Sequence, residues 1–119
     1  MKLKVLEDNN TFIDMYYLGE PAVSYYIEDG EDKILFDVGY SDAFLVNAEK
    51  MNIDIDNISK VVISHGMAEH PIRYNLLASF LNANNIEVYA IYHIGHGKYA
   101  SKVGHMAKGE FDQCVTNIY

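Results

Sequence analysis

Two histidines and a glutamate lie within six residues, directly after a short apolar segment. The sequence from Lys60 to Pro71 reads K-V-V-I-S-H-G-M-A-E-H-P, so His65, Glu69 and His70 follow the β-branched run at once. Neutral imidazole and carboxylate are ligands for zinc, iron or manganese, and a loop that folds back can bring three such groups to one or two ions. Histidine and glutamate near a helix start can equally be structural, as a cap and a solvated side chain. Spacing alone leaves both interpretations open.

The apolar run before this loop is typical of a central strand in a mixed sheet. Apolar runs and alternating patterns predict strands at Lys2–Leu6, Ala22–Ile27, Lys33–Val38, Lys60–Ser64 and Ile86–Tyr92. Asp29-Gly30 between two of these runs is typical of a hairpin, so the sheet should begin with antiparallel strands. An α/β chain can place chemical groups in the loops at the carboxyl ends of its strands.

Two helices should separate the later strands. The first should start at Ser41 or Asp42 and end near Asn52, with inward positions Phe44, Ala48 and Met51. The second should start at Pro71 and end before Asn84, with an apolar stripe of Ile72, Leu76, Phe80 and Ala83. In the glycine-interrupted tail, one short helix could turn Tyr99, Val103 and Met106 inward and another Phe111, Val115 and Ile118. The resulting fold class is α/β, a mixed β-sheet with helices on one face, in a single domain over residues 1–119.

Composition limits the classes of partner. Seventeen acidic and nine basic residues give a formal charge of -8, which repels nucleic acid and anionic membrane surfaces. No apolar run reaches the length of a signal peptide or a membrane span, which predicts a cytoplasmic protein. The single Cys114 cannot form an internal disulfide and is most simply a buried apolar residue.

Several short motifs, in order, resemble one known family. They are Asp8-Asn9, G-E-P-A-V-S-Y-Y-I-E at 19–28, I-L-F-D-V-G at 34–39, Ser41-Asp42, Asn47-Ala48, Ile53-Asp54 and V-V-I-S-H-G at 61–66. Together they resemble the metallo-β-lactamase fold superfamily over residues 1 to about 90, and within it the dihydropterin-ribofuranosylaminobenzene-phosphate synthase-like hydrolases. The resemblance implies the amino-terminal half of an αββα sandwich that binds one or two metals, often zinc. It also implies hydrolysis or oxidation by a metal-bound hydroxide.

The metal motif of that family, H-x-H-x-D-H, is degenerate in this chain. His65 and His70 match its first and last histidines, but Met67 replaces the second histidine and Glu69 the aspartate. Methionine is a weak ligand for zinc, and the longer carboxylate is displaced by about one C–C bond, so both changes should weaken a site for zinc or another divalent transition metal. The tail histidines His93, His96 and His105 could supply ligands instead, or could simply be scattered over a surface loop.

The same resemblance assigns supporting roles to two aspartates. Asp37, at the end of its strand, would support the metal loop by hydrogen-bonding Ser64 or His65, and Asp8 carries a similar assignment. Capping of the following turn is the structural alternative for each.

Two functions of different classes follow from these patterns. In the first, the chain is a metal-dependent hydrolase in which His65, Glu69 and His70 hold the ion and metal-bound water attacks an ester, phosphoester or amide. In the second, it is a non-catalytic oligomeric or small-molecule-binding protein that retains half of the fold. Half of a sandwich leaves an apolar sheet face uncovered, which predicts a homodimer through that face. Alternatively, the tail covers the face, or the other half comes from elsewhere.

Overall fold

A five-stranded mixed sheet is the centre of the structure, a computed structural model that describes residues 1–11, 16–66, 69–97, 100, 102 and 112. The strands, in sheet order, are β1 (Lys2–Glu7), β2 (Ser24–Asp29), β3 (Asp32–Phe36), β4 (Lys60–Ser64) and β5 (Glu87–Ile91). β1, β2 and β3 are antiparallel to one another, whereas β3, β4 and β5 are parallel. The predicted α/β class with a mixed sheet is confirmed.

The β2–β3 hairpin forms where the Asp-Gly pair predicted it. Asp29 pairs with Asp32, so Gly30 and Glu31 form a two-residue connection. Gly30 has a φ of 61°, a conformation that glycine adopts without a Cβ penalty and that matches the twist of a hairpin. Across the sheet, Lys60 reaches back to Asp32 with 2.7 Å between its Nζ and a carboxylate oxygen.

Two α-helices and two short 3₁₀ helices connect the parallel strands. They are α1 (Ala43–Lys50), a 3₁₀ helix at Ile55–Asn57, a 3₁₀ helix at Pro71–Tyr74 and α2 (Asn75–Ala83). The hydroxyl of Ser41 accepts a hydrogen bond from the Ala43 amide, whereas Asp42, the residue before the helix, makes no capping bond through its side chain. Pro71 occupies the first helical position, as predicted, but it begins the 3₁₀ segment rather than the α-helix.

The predicted inward face of α2 is wrong by one position. Ile72, Leu76 and Phe80 are 62%, 88% and 66% exposed, whereas Leu77 and Leu81 pack against the core. This helix carries two adjacent apolar rows, and a pattern of apolar positions cannot choose between them. In the structure the second row, which contains Leu77 and Leu81, faces the sheet.

The core lies between one face of the sheet and both helices. Its buried members are Leu6, Tyr26, Leu35, Ala48, Ile53, Ile58, Val61 and Ile63. Because β-strand side chains alternate between faces, the paired residues Tyr26, Leu35 and Val61 form one row, and residues of α1 and α2 pack on that row. Burial on this face fixes the register of β4, the strand that leads into the histidine loop.

The opposite sheet face is also apolar. Its rows contain Leu3, Val5, Tyr25, Ile27, Ile34, Phe36, Val62 and Tyr89. Leu3, Val5 and Tyr89 are 53%, 42% and 52% exposed, so the described residues leave this face partly open to solvent. A homodimer through this face stays a prediction.

Part of the sequence interpretation concerns residues that the structure does not describe. The two tail helices predicted from Tyr99 to Ile118, together with Met67, His105 and Cys114, lie outside the described residues. Within the described ranges, no helix has the length and apolar character needed to cross a membrane.

Candidate active site

The carboxyl ends of the three parallel strands meet at one edge of the sheet. Asp37 follows β3, Ser64 ends β4 and His93 lies two residues beyond β5. In open α/β sheets, ligands bind outside this edge, because the loops there are held by rigid strands. Three polar residues that are distant in sequence are therefore neighbours in space.

Asp37 ties the end of β3 to β4. Its backbone N–H donates to the Val62 carbonyl at 2.7 Å, and one carboxylate oxygen accepts the Val38 N–H at 2.9 Å. The backbone N–H of Ser64 lies near this carboxylate and acts to lower its pKa. Burial raises the pKa of Asp37, and the charge of Glu69 raises it further. The bond to the Val38 N–H is a contact with the turn that follows the strand, which was the structural alternative for Asp37, whereas its support of Ser64 or His65 stays a prediction.

His65 is a buried residue at the centre of a histidine cluster. Its side chain is 3% exposed, and its ring centroid lies 4.8 Å from that of His93 and 4.9 Å from that of His96. Its Nδ1 lies 2.9 Å from the Gly66 carbonyl oxygen, so this nitrogen carries the proton. Its buried Nε2 has no hydrogen-bond partner among the described residues.

Ser64 and His93 form a hydroxyl–imidazole pair across β4 and β5. The Ser64 Oγ lies 3.1 Å from the His93 Nε2. Burial lowers the pKa of His93, and the neighbouring His65 and His96 rings lower it further. A lowered pKa favours the neutral imidazole at pH 7, which can accept the hydroxyl proton.

Glu69 is held by neighbours on its own side of the loop. Its carboxylate accepts hydrogen bonds from the Tyr74 hydroxyl at 2.6 Å and from Arg73 at 3.1 Å, with a longer contact to the Gly66 N–H at 3.4 Å. The pKa of Glu69 is lowered, chiefly by the hydrogen bond from the Tyr74 hydroxyl. The pKa of Tyr74 is raised to about 12, first by burial and then by its hydrogen bond to Glu69. Glu69 is therefore a paired carboxylate at neutral pH.

His70 caps the 3₁₀ helix that leads into α2. Its Nδ1 accepts the Ile72 N–H at 3.2 Å, which is the structural role that the sequence allowed for a histidine here. Its ring meets the Tyr92 ring edge-on at a centroid distance of 5.5 Å. Gly97, with a φ of 81°, packs so closely on Tyr92 that a Cβ would lie 2.6 Å from a ring carbon. The His70–Tyr92 contact joins the loop after β4 to the loop after β5.

Two cavities adjoin at this edge of the sheet. A cleft of about 320 Å³, called the polar cleft here because the side chains of Asp37, Ser64 and Glu69 line it, also has Gly66 and Tyr74 in its lining. A groove of about 420 Å³ between α1 and α2 is mainly apolar, with a lining that includes Leu35, Phe44, Leu45, Val61, Leu77, Phe80 and Leu81. Gly39 and Tyr40 line both cavities, so the polar cleft and the apolar groove share a wall.

Two carboxyl groups lie behind Gly39 in that wall. A Cβ at this position would lie 2.6 Å from an oxygen of Glu7 and 2.6 Å from an oxygen of Glu20, so only glycine fits. Glu7 is 2% exposed, and burial, with Glu20 adding to it, raises its pKa to about 7. Glu20 instead accepts hydrogen bonds from the Ser41 hydroxyl and the Tyr40 N–H, which lower its pKa to about 2. Glu20 is therefore ionised at neutral pH and Glu7 is about half ionised, so the pair carries between one and two negative charges.

The residues predicted as metal ligands are not brought together as a ligand set. His65 bonds to Gly66, Glu69 to Tyr74 and Arg73, and His70 caps a helix. Across residues 1–11, 16–66, 69–97, 100, 102 and 112, no three His, Cys, Asp or Glu side chains are grouped so that they could hold a metal ion. Asp8, assigned a supporting role, caps its own turn by accepting the Asn10 N–H at 2.8 Å.

Comparison with known families identifies the second half of the chain. The family model for serine aminopeptidase, S33, an α/β hydrolase family, matches residues 56–119. This chain belongs to that family. The match begins just before β4 and includes α2, β5 and every histidine of the cluster, while residues 1–55 lie outside it.

Part of the chain is also similar to a curated lipase. The chain is 42% identical over 53 residues to a monoacylglycerol lipase of Mycolicibacterium smegmatis. The matched segment covers 44% of this chain and 19% of the lipase, so the chain spans about a fifth of that relative.

These findings overturn the metallo-β-lactamase interpretation. The H-G-M-A-E-H segment falls inside the S33 match. The assignment to the metallo-β-lactamase superfamily and to its metal-dependent hydrolases was therefore wrong. The metal binding and zinc that the resemblance implied conflict with this family as well. A six-residue segment determines the order of two histidines and a carboxylate, but it does not determine the directions of their side chains. The spacing therefore resembled a metal motif although the side chains do not form a metal site.

The sequence interpretation overlooked the Ser64–His93 pair. Ser64 was noted only as a group that Asp37 could contact, and His93 only as a substitute metal ligand. A signal was present, because both residues lie at carboxyl ends of strands predicted to be consecutive in an α/β fold. Only the parallel pairing of Ser64 with Ile91 shows that the two ends are adjacent.

Proposed function

We propose that this chain has serine-hydrolase activity on esters whose acyl chain is apolar. Membership of the S33 family and the 42% identity to a monoacylglycerol lipase support hydrolysis of an acyl bond. The observation on which the proposal rests is the shared wall of Gly39 and Tyr40 between the polar cleft and the apolar groove. An ester with its carbonyl in the cleft and its acyl chain in the groove has matching polarity along its length.

The size and lining of the groove support an acyl chain as its occupant. Leu45 and Phe80 are 44% and 66% exposed at its rim, so a bound chain would cover apolar surface that otherwise faces water. Burial of each methylene group contributes about 0.8 kcal/mol, which is about fourfold in affinity. Activity should therefore increase with acyl length until the groove is full.

The family description also names an aminopeptidase, which would bind a substrate ammonium group. Glu69 and Asp37 are acidic groups in the cleft that could attract such a cation. Glu69 is already paired with Arg73 at 3.1 Å and with the Tyr74 hydroxyl at 2.6 Å, so its carboxylate is occupied by protein groups. The geometry therefore favours an ester over a peptide amino terminus.

The experiment compares p-nitrophenyl acetate, hexanoate and decanoate with alanine p-nitroanilide on the purified 119-residue chain. We expect hydrolysis of the esters, with kcat/KM increasing with chain length, and little release of nitroaniline. Leu45→Gln should reduce this chain-length preference because it places an amide in the groove. Leu76→Gln is the matched control, since Leu76 is 88% exposed and does not line the groove.

Absence of hydrolysis for every ester would contradict the proposal. Equal rates for acetate and decanoate, or equal effects of the two glutamine variants, would refute the assignment of the groove to the acyl chain. Preferential cleavage of the anilide would favour the aminopeptidase alternative.

A further inference from the structure

Glu7 is an acidic residue that is buried where β1 ends. A shift in register between Val5 and Glu7, typical of a β-bulge, leaves Leu6 and Glu7 both buried, although neighbouring strand residues normally face opposite sides of a sheet. Both carboxylate oxygens of Glu7 are buried and have no hydrogen-bond partner among the described residues. Because a buried charge without a partner is costly, these surroundings favour the protonated, uncharged carboxyl group.

The carboxyl group of Glu7 supports the wall between the polar cleft and the apolar groove. This wall is formed by Gly39 and Tyr40, which line both cavities. A Cβ at Gly39 would lie 2.6 and 3.0 Å from the two oxygens of Glu7, so the carboxyl group lies against the backbone of the wall. Glu7 also lines a separate cavity of about 180 Å³, but its carboxylate oxygens are not exposed there.

Glu20 holds the same wall from a second position. Its carboxylate accepts hydrogen bonds from the Ser41 hydroxyl at 2.7 Å, from the Ser41 N–H at 3.0 Å and from the Tyr40 N–H. These bonds lower the pKa of Glu20 to about 2, so this carboxylate is ionised at neutral pH. An oxygen of Glu20 also lies 2.6 Å from the position of a Gly39 Cβ, the same distance as an oxygen of Glu7. The two carboxyl groups therefore meet behind the wall.

Ionisation of Glu7 places a second negative charge beside the first. The charged groups that act on Glu7 most strongly are Glu20, in the loop before β2, and Asp37, at the end of β3, and both are acidic. The Phe44 N–H, in the first turn of α1, acts in the opposite direction and favours the ionised form. Burial, with Glu20 adding to it, raises the pKa of Glu7 to about 7, so its charge changes between about pH 6 and pH 8.

We propose that Glu7 is a positioning residue for the wall, and that ionisation of Glu7 loosens the wall and weakens binding of an apolar chain in the groove. This inference rests on the proposed function, which supplies an acyl chain as the occupant of the groove. An ionised Glu7 repels Glu20, and the hydrogen bonds from Tyr40 and Ser41 to Glu20 transmit this repulsion to the wall. Because Glu7 belongs to β1 and pairs with Ser24, the loop moves rather than the strand.

The coupling between Glu7 and the groove is reciprocal. If neutral Glu7 binds an apolar chain better, a bound chain must favour the neutral form of Glu7 by the same factor. Couplings between two sites are typically about 5–150-fold. With a pKa of about 7, such a coupling lowers the affinity for an apolar chain by about 4- to 10-fold between about pH 5.5 and pH 8.

Binding of octanol to the isotope-labelled 119-residue chain, followed by NMR, tests the inference without a chemical reaction. Octanol is an uncharged apolar chain, so its own charge does not change with pH. The amide signals of Leu45 and Leu77, which line the groove, report its binding. We expect the affinity to be about 4- to 10-fold lower at about pH 8 than at about pH 5.5. In the same spectra, the amide signals of Tyr40 and Ser41 should shift over this pH range.

Glu7→Gln separates the charge of this side chain from its shape. Glutamine has nearly the same shape but stays uncharged, so octanol affinity should be equal at both pH values, and the shifts of the Tyr40 and Ser41 signals should disappear. Glu49→Gln is the matched control, the same change at an exposed position of α1, and should keep the pH dependence of the native chain.

The chain-length preference in ester hydrolysis is a second readout. The ratio of kcat/KM for p-nitrophenyl decanoate to kcat/KM for the acetate cancels the pH dependence of the chemical step, because both esters share that step. In the native chain this ratio should fall by about 4- to 10-fold from about pH 5.5 to pH 8. In Glu7→Gln it should stay constant.

The outcomes distinguish this inference from the proposed function. Octanol binding whose pH dependence is lost in Glu7→Gln, without hydrolysis of any ester, would support the role of Glu7 and contradict the proposed function. Ester hydrolysis with equal octanol affinity at both pH values would overturn the role of Glu7 and leave the proposed function standing. Absence of octanol-induced shifts at the groove amides would overturn the inference, as would a pH dependence that persists in Glu7→Gln.

Discussion

Replacing Asn47 by alanine should strongly destabilise this protein. Asn47 is fully buried on α1, and its side-chain amide joins three segments of the chain. Its Nδ2 donates to the carbonyls of Leu6 and Leu18, each at 2.7 Å, and its Oδ1 accepts the Leu18 N–H at 2.8 Å. The amide therefore connects the end of β1 and the segment before β2 to the first helix.

The expected cost follows from those three hydrogen bonds. Each contributes about 1 kcal/mol net, and a buried acceptor left without a partner costs about 1–3 kcal/mol. Leu18 is 47% exposed and can bond to water instead, but Leu6 is 1% exposed, so its carbonyl loses its partner outright. Alanine returns about 0.5 kcal/mol through its higher helix propensity. We expect a net loss of about 2–3 kcal/mol in the free energy of unfolding.

Urea unfolding followed by circular dichroism measures this loss. With a slope of about 1–3 kcal/mol/M, the midpoint of Asn47→Ala should fall by about 0.7–3 M. Asn82→Ala is the matched control, the same change at an exposed position of α2, and should leave the midpoint almost unchanged. Asn47→Asp keeps the acceptor but turns a carboxylate towards two carbonyls, so it should destabilise more than alanine at neutral pH. Equal midpoints for Asn47→Ala and Asn82→Ala would refute this reasoning.

Three further predictions concern the wall of the cleft, the histidine loop and the open sheet face. Because the folded-state pKa of Glu7 is about 7, above its ordinary value of 4.5, the stability that its protonated form provides is lost as pH rises from about 4.5 to 7. Glu7→Gln should therefore stabilise the chain more at pH 8 than at pH 4.5, by up to about 3 kcal/mol in urea unfolding, whereas the exposed Glu49→Gln should show no such difference. Gly97→Ala should cost about 1–2 kcal/mol in the free energy of unfolding because of the positive φ, and by pushing on Tyr92 it should slow ester hydrolysis; an unchanged rate would contradict this coupling of the loops. Light scattering at tens of micromolar should give twice the chain mass of 13.5 kDa if a second copy covers the open sheet face, and a monomer mass would count against it.

Local patterns were enough to predict most of the elements. The β-branched residues of β4 predicted its bounds, because such side chains fit a strand and little else in so short a run. Asp29-Gly30 predicted the hairpin, and Pro71 the first helical position, because each residue restricts its own backbone. The inward face of α2 was predicted wrongly, because Leu76 and Leu77 are equally apolar and only packing distinguishes them.

The functional interpretation was wrong because it used a six-residue motif to define a metal site. His65, Glu69 and His70 have metal-ligand chemistry, but each forms its hydrogen bonds with protein groups within a few residues of itself. The family match over residues 56–119 depends on a much longer segment, and it overrides a six-residue pattern.

The sequence by itself determined the α/β class, the order of strands and helices, and the presence of acid–base side chains at strand ends. These features depend on neighbouring residues, whose backbone preferences and periodic burial act locally. Only the tertiary structure brought Ser64 within 3.1 Å of His93, 29 residues later, and joined the polar cleft to the apolar groove at Gly39. Such contacts depend on which strands pair and in which register, and this is decided by burial of the whole sheet face rather than by any one segment.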